Sequence, residues 1–205
     1  MSTLLIAEVE KETAPAQIVL QMLPVVNLTE DQFFEFCQIN GDLRIERNAQ
    51  QEIIVMSPTG GLSGKRELKI VTQLEAWSQK NGTGTAFSPS TGYRLPNGAM
   101  RAPDGSWVSN IRLNKLTLDD QEKFLPLCPE FVAEVKSPTD RMVDVLAKMD
   151  EYIANGTKLG ILILPKMKQV RIYRPNQPVQ QIDQAEKINC SPEMPGFDLD
   201  LREIW

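Results

Sequence analysis

Two stretches of the chain are apolar at nearly every position, FVAEV at 131–135 and LGILIL at 159–164. Continuous apolar runs of strand length, bounded by turn residues, predict strands covered on both faces. Between them Thr139 or Asp140 can cap a helix that runs to about Asn155 and stops at Gly156. Downstream, KQVRIYR alternates and pairs back after a turn, with Val170, Ile172 and Tyr173 around a polar edge. Upstream, DLRIER and EIIVMS joined by NAQQ predict an antiparallel hairpin.

Helical spacing governs two other segments. Thr29 with Gln32 three residues on forms a capping pair before Phe33, Phe34, Phe36 and Cys37, and Gly41 ends that short helix. After SPTGGLSG, the positions Ile70, Leu74 and Trp77 predict a helix over 65–80, closed by Asn81-Gly82. Short strands follow at TAFSP and GYRLP, a turn at Asn97-Gly98, and a strand in APDGSWVS that begins beside Pro103. GFDLDLREIW reads as a final docked segment. Helix, hairpin, helix, strands, helix, strands is the order of an α/β chain with a mixed central sheet flanked by helices. Residues 1–27 show neither periodicity nor turn chemistry and read as an N-terminal arm. Residues 28–205 form the domain, and 205 residues suit one core better than two.

Composition narrows the chemistry mainly by what it omits. There is no histidine, which removes Ser-His-Asp and Cys-His triads and His-ligated zinc. Cys37, Cys128 and Cys190 are odd in number and far apart, so they read as small buried hydrophobes in a reducing compartment. No apolar run approaches the roughly 20 residues of a membrane span. The N-terminus lacks the basic region of a secretory signal, so a cytoplasmic protein is expected. The net charge of −5 argues against coating nucleic acid non-specifically, but it leaves room for a local basic groove. Carboxylates without histidine suit hard ions, Mg2+ or Mn2+.

The candidate chemistry lies in Asp104, Glu134 and Lys136. Glu134 and Lys136 fall on one face of a strand that is otherwise apolar, where unpartnered charges are costly. A metal ion held by Glu134 and a second carboxylate would satisfy them, and Asp104, at the start of a strand after a proline, is the natural second. Spacing alone also fits a strand-end salt bridge beside a helix cap. Glu67-Leu68-Lys69 matches Glu-x-Lys too, so the tripeptide by itself is unspecific.

Pro-Asp followed by Glu-x-Lys is the signature of the PD-(D/E)xK nuclease superfamily. From Leu28 to Trp205 the chain resembles a restriction-endonuclease-like family abundant in cyanobacteria. The resemblance lies in LTEDQFFEFC, IIVMSPTGG, TGYRLPNGAMRAPDGSWVS, LCPEFVAEVKSPTDRMVDVLAKMDEYIANGTKLGILILP, VRIYRPNQP and PGFDLDLREIW. It implies a restriction-endonuclease-like fold and a Mg2+- or Mn2+-dependent endonuclease acting on DNA. It makes Asp104 and Glu134 metal ligands and Lys136 the catalytic lysine, and it makes a homodimer plausible. Relatives carry a further acid on the helix after SPTGG where this chain has Lys69. Glu67 lies two positions earlier, turned by about 200°, and reads as a solvated face residue.

Other positions carry less. Lys148 and Tyr152 share a helix face, where they can either reach the site or pack. Trp107 is expected beneath the site, and Ser57 and Ser137, each before a proline, as strand terminators. The competing function is a nuclease-fold module with a binding or regulatory role and no turnover.

Overall fold

A computed structural model of the protein describes residues 17–205. In chain order it begins with strand β1 (Gln17–Leu20), helix α1 (Glu30–Ile39), strands β2 (Arg44–Arg47) and β3 (Ile53–Met56), and helix α2 (Gly61–Asn81). Strands β4 (Gly84–Phe87), β5 (Tyr93–Arg94), β6 (Met100–Arg101) and β7 (Gly105–Ser109) follow, then short helices α3 (Asn110–Leu113) and α4 (Leu118–Glu122). The chain continues as β8 (Phe131–Val135), α5 (Met142–Ala154), β9 (Leu159–Leu164), β10 (Gln169–Tyr173), β11 (Gln180–Asp183), β12 (Lys187–Asn189) and β13 (Asp198–Asp200).

The two apolar runs are buried strands, as predicted, and they pair with each other. β8 and β9 lie parallel in the middle of a six-stranded sheet ordered β11-β10-β9-β8-β7-β4, and every residue of both is buried. All other pairings in that sheet are antiparallel, so it is mixed. Alternation along β8 separates its two faces. Phe131, Ala133 and Val135 pack with Ile70 and Leu74 of α2 and with Phe197, Leu199 and Ile204 of the C-terminal segment. Val132 packs on the opposite side with Met149 and Tyr152 of α5. Each face therefore has its own core, the expected helix–sheet–helix layering.

A second sheet, β1-β3-β2-β6-β5, stands apart from the first. The predicted hairpin belongs to it, because β2 takes β6 as its outer neighbour, with Arg47 opposite Met100. The chain passes from this sheet to the central one in three residues, Ala102-Pro103-Asp104, between β6 and β7. That crossing positions the site.

Local signals place most element ends. Thr29 caps α1 reciprocally with Gln32, at 3.2 and 2.9 Å. Gly82 ends α2 at φ +69, donating to the Ser78 carbonyl. α2 starts four residues earlier than the periodicity marks, with Gly60 at its N-cap. The carboxylate of Asp140 receives the Ser137 N–H at 2.7 Å, ordering the turn ahead of α5, which begins only at Met142. Of the expected N-terminal arm, residues 1–16 lie outside the described residues. Residues 17–20 pair with β3 as an edge strand that is largely exposed, so a partner strand and not an alternating pattern holds them.

Candidate active site

Register brings the two predicted acids together. Gly105 of β7 stands opposite Ala133 of β8, so the same register continued by one residue sets Asp104 opposite Glu134. Both side chains leave the sheet on the α5 side. Gly105 faces Ile70 of α2, while Ser106, two residues past Asp104, bonds Tyr93 in the core under α5. Asp104 Oδ2 accepts the Val135 N–H at 2.8 Å, and Oδ1 accepts from Arg44 Nη2 at 3.2 Å.

Glu134 is buried beneath α5. Its Oε1 accepts from Lys148 Nζ at 2.9 Å and from the Tyr152 hydroxyl at 3.1 Å. Burial pushes the Glu134 carboxyl up to about 7; Lys148 opposes this, while the charges of Asp104 and Glu46 add to it. The same burial, with the charges of Glu134 and Glu46, drives the Tyr152 phenol well above its ordinary range. Tyr152 therefore stays a neutral donor.

The site extends to four residues that sequence reasoning did not single out: Arg44 and Glu46 on β2, Arg101 on β6, and Glu151 on α5. Glu46 Oε1 accepts from Lys148 Nζ at 3.0 Å and from the Ala102 N–H at 3.1 Å, and Oε2 accepts from Arg101 Nη1 at 3.1 Å. Burial alone would raise the Glu46 carboxyl, but Lys148, Arg101 and Arg44 outweigh it and hold it down to about 2. Arg101 also donates from Nε to Glu151 at 2.6 Å. Four carboxylates (Glu46, Asp104, Glu134, Glu151) thus face three cations (Arg44, Arg101, Lys148). The cluster holds one carboxylate more than it has cations, an imbalance that adds to the burial already raising Glu134. The available signal was faint: Arg44 and Glu46 alternate with Ile45 and so share a face of a short strand.

The structure separates the remaining predicted residues. Lys136 continues the β8 ladder, its N–H on the Ile163 carbonyl at 2.9 Å, but its ammonium donates to the Ser137 carbonyl at 3.2 Å. Among the described residues it pairs with none of the site carboxylates. Glu67 is half-buried and not simply solvated. Burial raises its carboxyl, the Asp104 charge adds to that, and it lines a groove together with Arg44. Lys69, at the position where relatives carry an acid, pairs with Glu203 in the C-terminal segment. Lys148 and Tyr152 do reach the site, and Trp107 packs under the sheet on the α2 side.

Asp104 and Glu134 suit a small hard cation. Magnesium is held by one or two carboxylates with water and substrate phosphate completing its shell, and an added cation would relieve the deficit at Glu134. Among the described residues no group of three His, Cys, Asp or Glu side chains stands at metal-holding spacing.

This fold is that of a restriction-endonuclease-like protein. A crystal structure described as a "putative nuclease belonging to DUF820" from Anabaena variabilis superposes with TM-score 0.70 at 17% identity, covering 87% of this chain and 97% of that one. At that identity the likeness shows the fold. The family follows from the sequence: residues 30–202 match the Uma2 model, described as "Putative restriction endonuclease", and the chain belongs to that family. A search of curated proteins finds no match to the chain.

Proposed function

We propose that the protein is a metal-dependent endonuclease that hydrolyses DNA phosphodiester bonds, with Asp104 and Glu134 as ligands of Mg2+ or Mn2+ and Lys136 as the catalytic lysine. The observation that carries this reading is the β7–β8 register, which stands the two carboxylates opposite each other on one face of the sheet. The ion, when bound, would lower the pKa of a water and neutralise charge building on the phosphate. The chain's own residues do the rest. The Val135 N–H and Arg44 fix Asp104, and Lys148 and Tyr152 fix Glu134. Lys136 follows Glu134 on the same strand face, and its flexible stem lets the ammonium leave the Ser137 carbonyl to orient a water or stabilise the charge that develops. Glu67, which lines the groove with Arg44, would be a further acid if it turns toward Asp104. The reading includes a homodimer, with one site for each strand.

Magnesium-dependent nicking of plasmid DNA by the purified protein, abolished in Asp104→Asn, is the expected result. Asparagine keeps the acceptor for the Val135 N–H, so the variant should stay folded. If Asp104→Asn cuts as fast as wild type, the site assignment fails.

One observation favours a second reading, a nuclease-fold module without turnover: both Asp104 oxygens, and Oε1 of Glu134, already have protein donors. Calorimetry with Mn2+ separates the two, since the module would take up no ion.

A further inference from the structure

Three cations border the acid cluster, and their donors are used very differently. Lys148 bridges two carboxylates, and Arg101 bonds Glu46 and Glu151. Their side chains are 15% and 10% exposed. Arg44 is 27% exposed and engages only Nη2, on the Ala102 carbonyl at 2.9 Å and on Asp104. Its Nε is buried with no partner. A buried unsatisfied donor on a charged group is destabilising, and one in a native protein calls for an explanation, such as a catalytic role or a bound water or ion.

Arg44 also faces open space. It lines a groove of about 540 Å³ with Thr59, Glu67, Ser90, Ala102 and Phe124 among its walls. The groove is of small-ligand size, a volume that would take a short piece of one strand. It holds few charges, Arg44 and Arg101 against Asp42 and Glu67, and Arg101 is already committed to carboxylates. Recognition of an anion there therefore falls to one guanidinium, whose planar fork matches a phosphate.

We propose that Arg44 is the phosphate-binding residue of this protein, taking a phosphodiester oxygen of one nucleic-acid strand that lies in the groove beside Asp104. This rests on the nuclease reading and adds to it a strand path and a recognition residue. Arg44 Nη2 is shared by Asp104 and the Ala102 carbonyl, and Arg44 and Ala102 both line the groove, so a phosphate on Arg44 would lie near Asp104.

The test compares wild type, Arg44→Gln and Arg44→Lys. The readouts are DNA oligonucleotide affinity with Ca2+ in place of Mg2+, Mn2+ affinity by calorimetry, and Mg2+-dependent cleavage. Arg44→Gln is expected to weaken DNA binding about tenfold and raise KM similarly, and to reduce the slope of log affinity against log salt by about one. Its Mn2+ affinity should fall less than its DNA affinity, because the Val135 N–H still fixes Asp104. Arg44→Lys should keep the salt slope and lose about threefold in affinity, as a point charge without the fork. A merely structural arginine would not move the salt slope. If wild type cuts DNA and Arg44→Gln retains its affinity and slope, the Arg44 assignment falls and the nuclease reading stands. If wild type neither binds nor cuts DNA, both fall. Should Arg44→Gln fail to fold, Arg44→Lys decides, and wild-type affinity there overturns the proposal.

Discussion

Asp104 accepts the backbone N–H of Val135 across the β7–β8 junction at 2.8 Å. A side chain from one strand thereby completes the ladder of the next, at the point where the chain has just crossed from the second sheet. The bond ties the first acid to the residue that follows the second, so the separation of Asp104 from Glu134 is set by backbone geometry and not by flexible side chains. Pre-positioning of this kind is what a hydrolytic site needs.

Lys136 and Lys148 should respond oppositely to removal. Lys136 has one bond, to its neighbour's carbonyl, so Lys136→Ala should leave the urea midpoint within the equivalent of about 0.5 kcal/mol. Cleavage should fall about a hundredfold or more. Cutting at the wild-type rate would remove Lys136 from the mechanism.

Lys148→Met should unfold more easily. Its ammonium joins Glu46 to Glu134 in the interior, and deleting one partner of a buried ion network costs about 3–5 kcal/mol. Urea denaturation with an unchanged m-value measures this, and a loss below about 1 kcal/mol would mean that water already serves the two acids.

Acid should weaken the fold through Glu46. Its folded carboxyl is held down to about 2 from an ordinary 4.5, so the unfolded chain takes up the proton first as pH falls. The stabilisation is complete above about 4.5 and disappears as pH drops towards 2. It is worth about 3 kcal/mol. Urea melts at stepped pH should show this loss in wild type and a shallower one in Glu46→Gln, whose stability is lower to begin with. Equal slopes in the two proteins would contradict the assignment.

Gly84→Ala should destabilise by about 2 kcal/mol or more. A Cβ at Gly84 would lie 2.4 Å from the Val108 carbonyl oxygen and 2.3 Å from the Trp107 ring, and a backbone atom cannot step aside. At Gly160 the nearest atom is the tip of Met149 at 2.7 Å, so Gly160→Ala should be milder. Thermal melts of the two variants give the order.

The signals legible without a structure were local ones. The capping box at Thr29, the apolar runs that became β8 and β9, and the helical spacing of Ile70, Leu74 and Trp77 each lie within about one element. Periodicity reports which face of an element is covered. Asp104 and Glu134 were also legible, since a proline before one and an apolar strand around the other made both charges conspicuous. The splitting of the strands into separate sheets was not legible. It depends on β2 choosing β6, a pairing between segments far apart in the chain.

What the sequence determined by itself, then, is the class of fold and the family, because apolar patterning and motif residues act over short stretches. Tertiary structure alone decided who attends the acids of the site. Lys148 reaches Glu46 from 102 positions away, and Arg44 reaches Asp104 from 60. Buried charges choose partners by proximity and desolvation in the folded core, and no spacing rule along the chain encodes either.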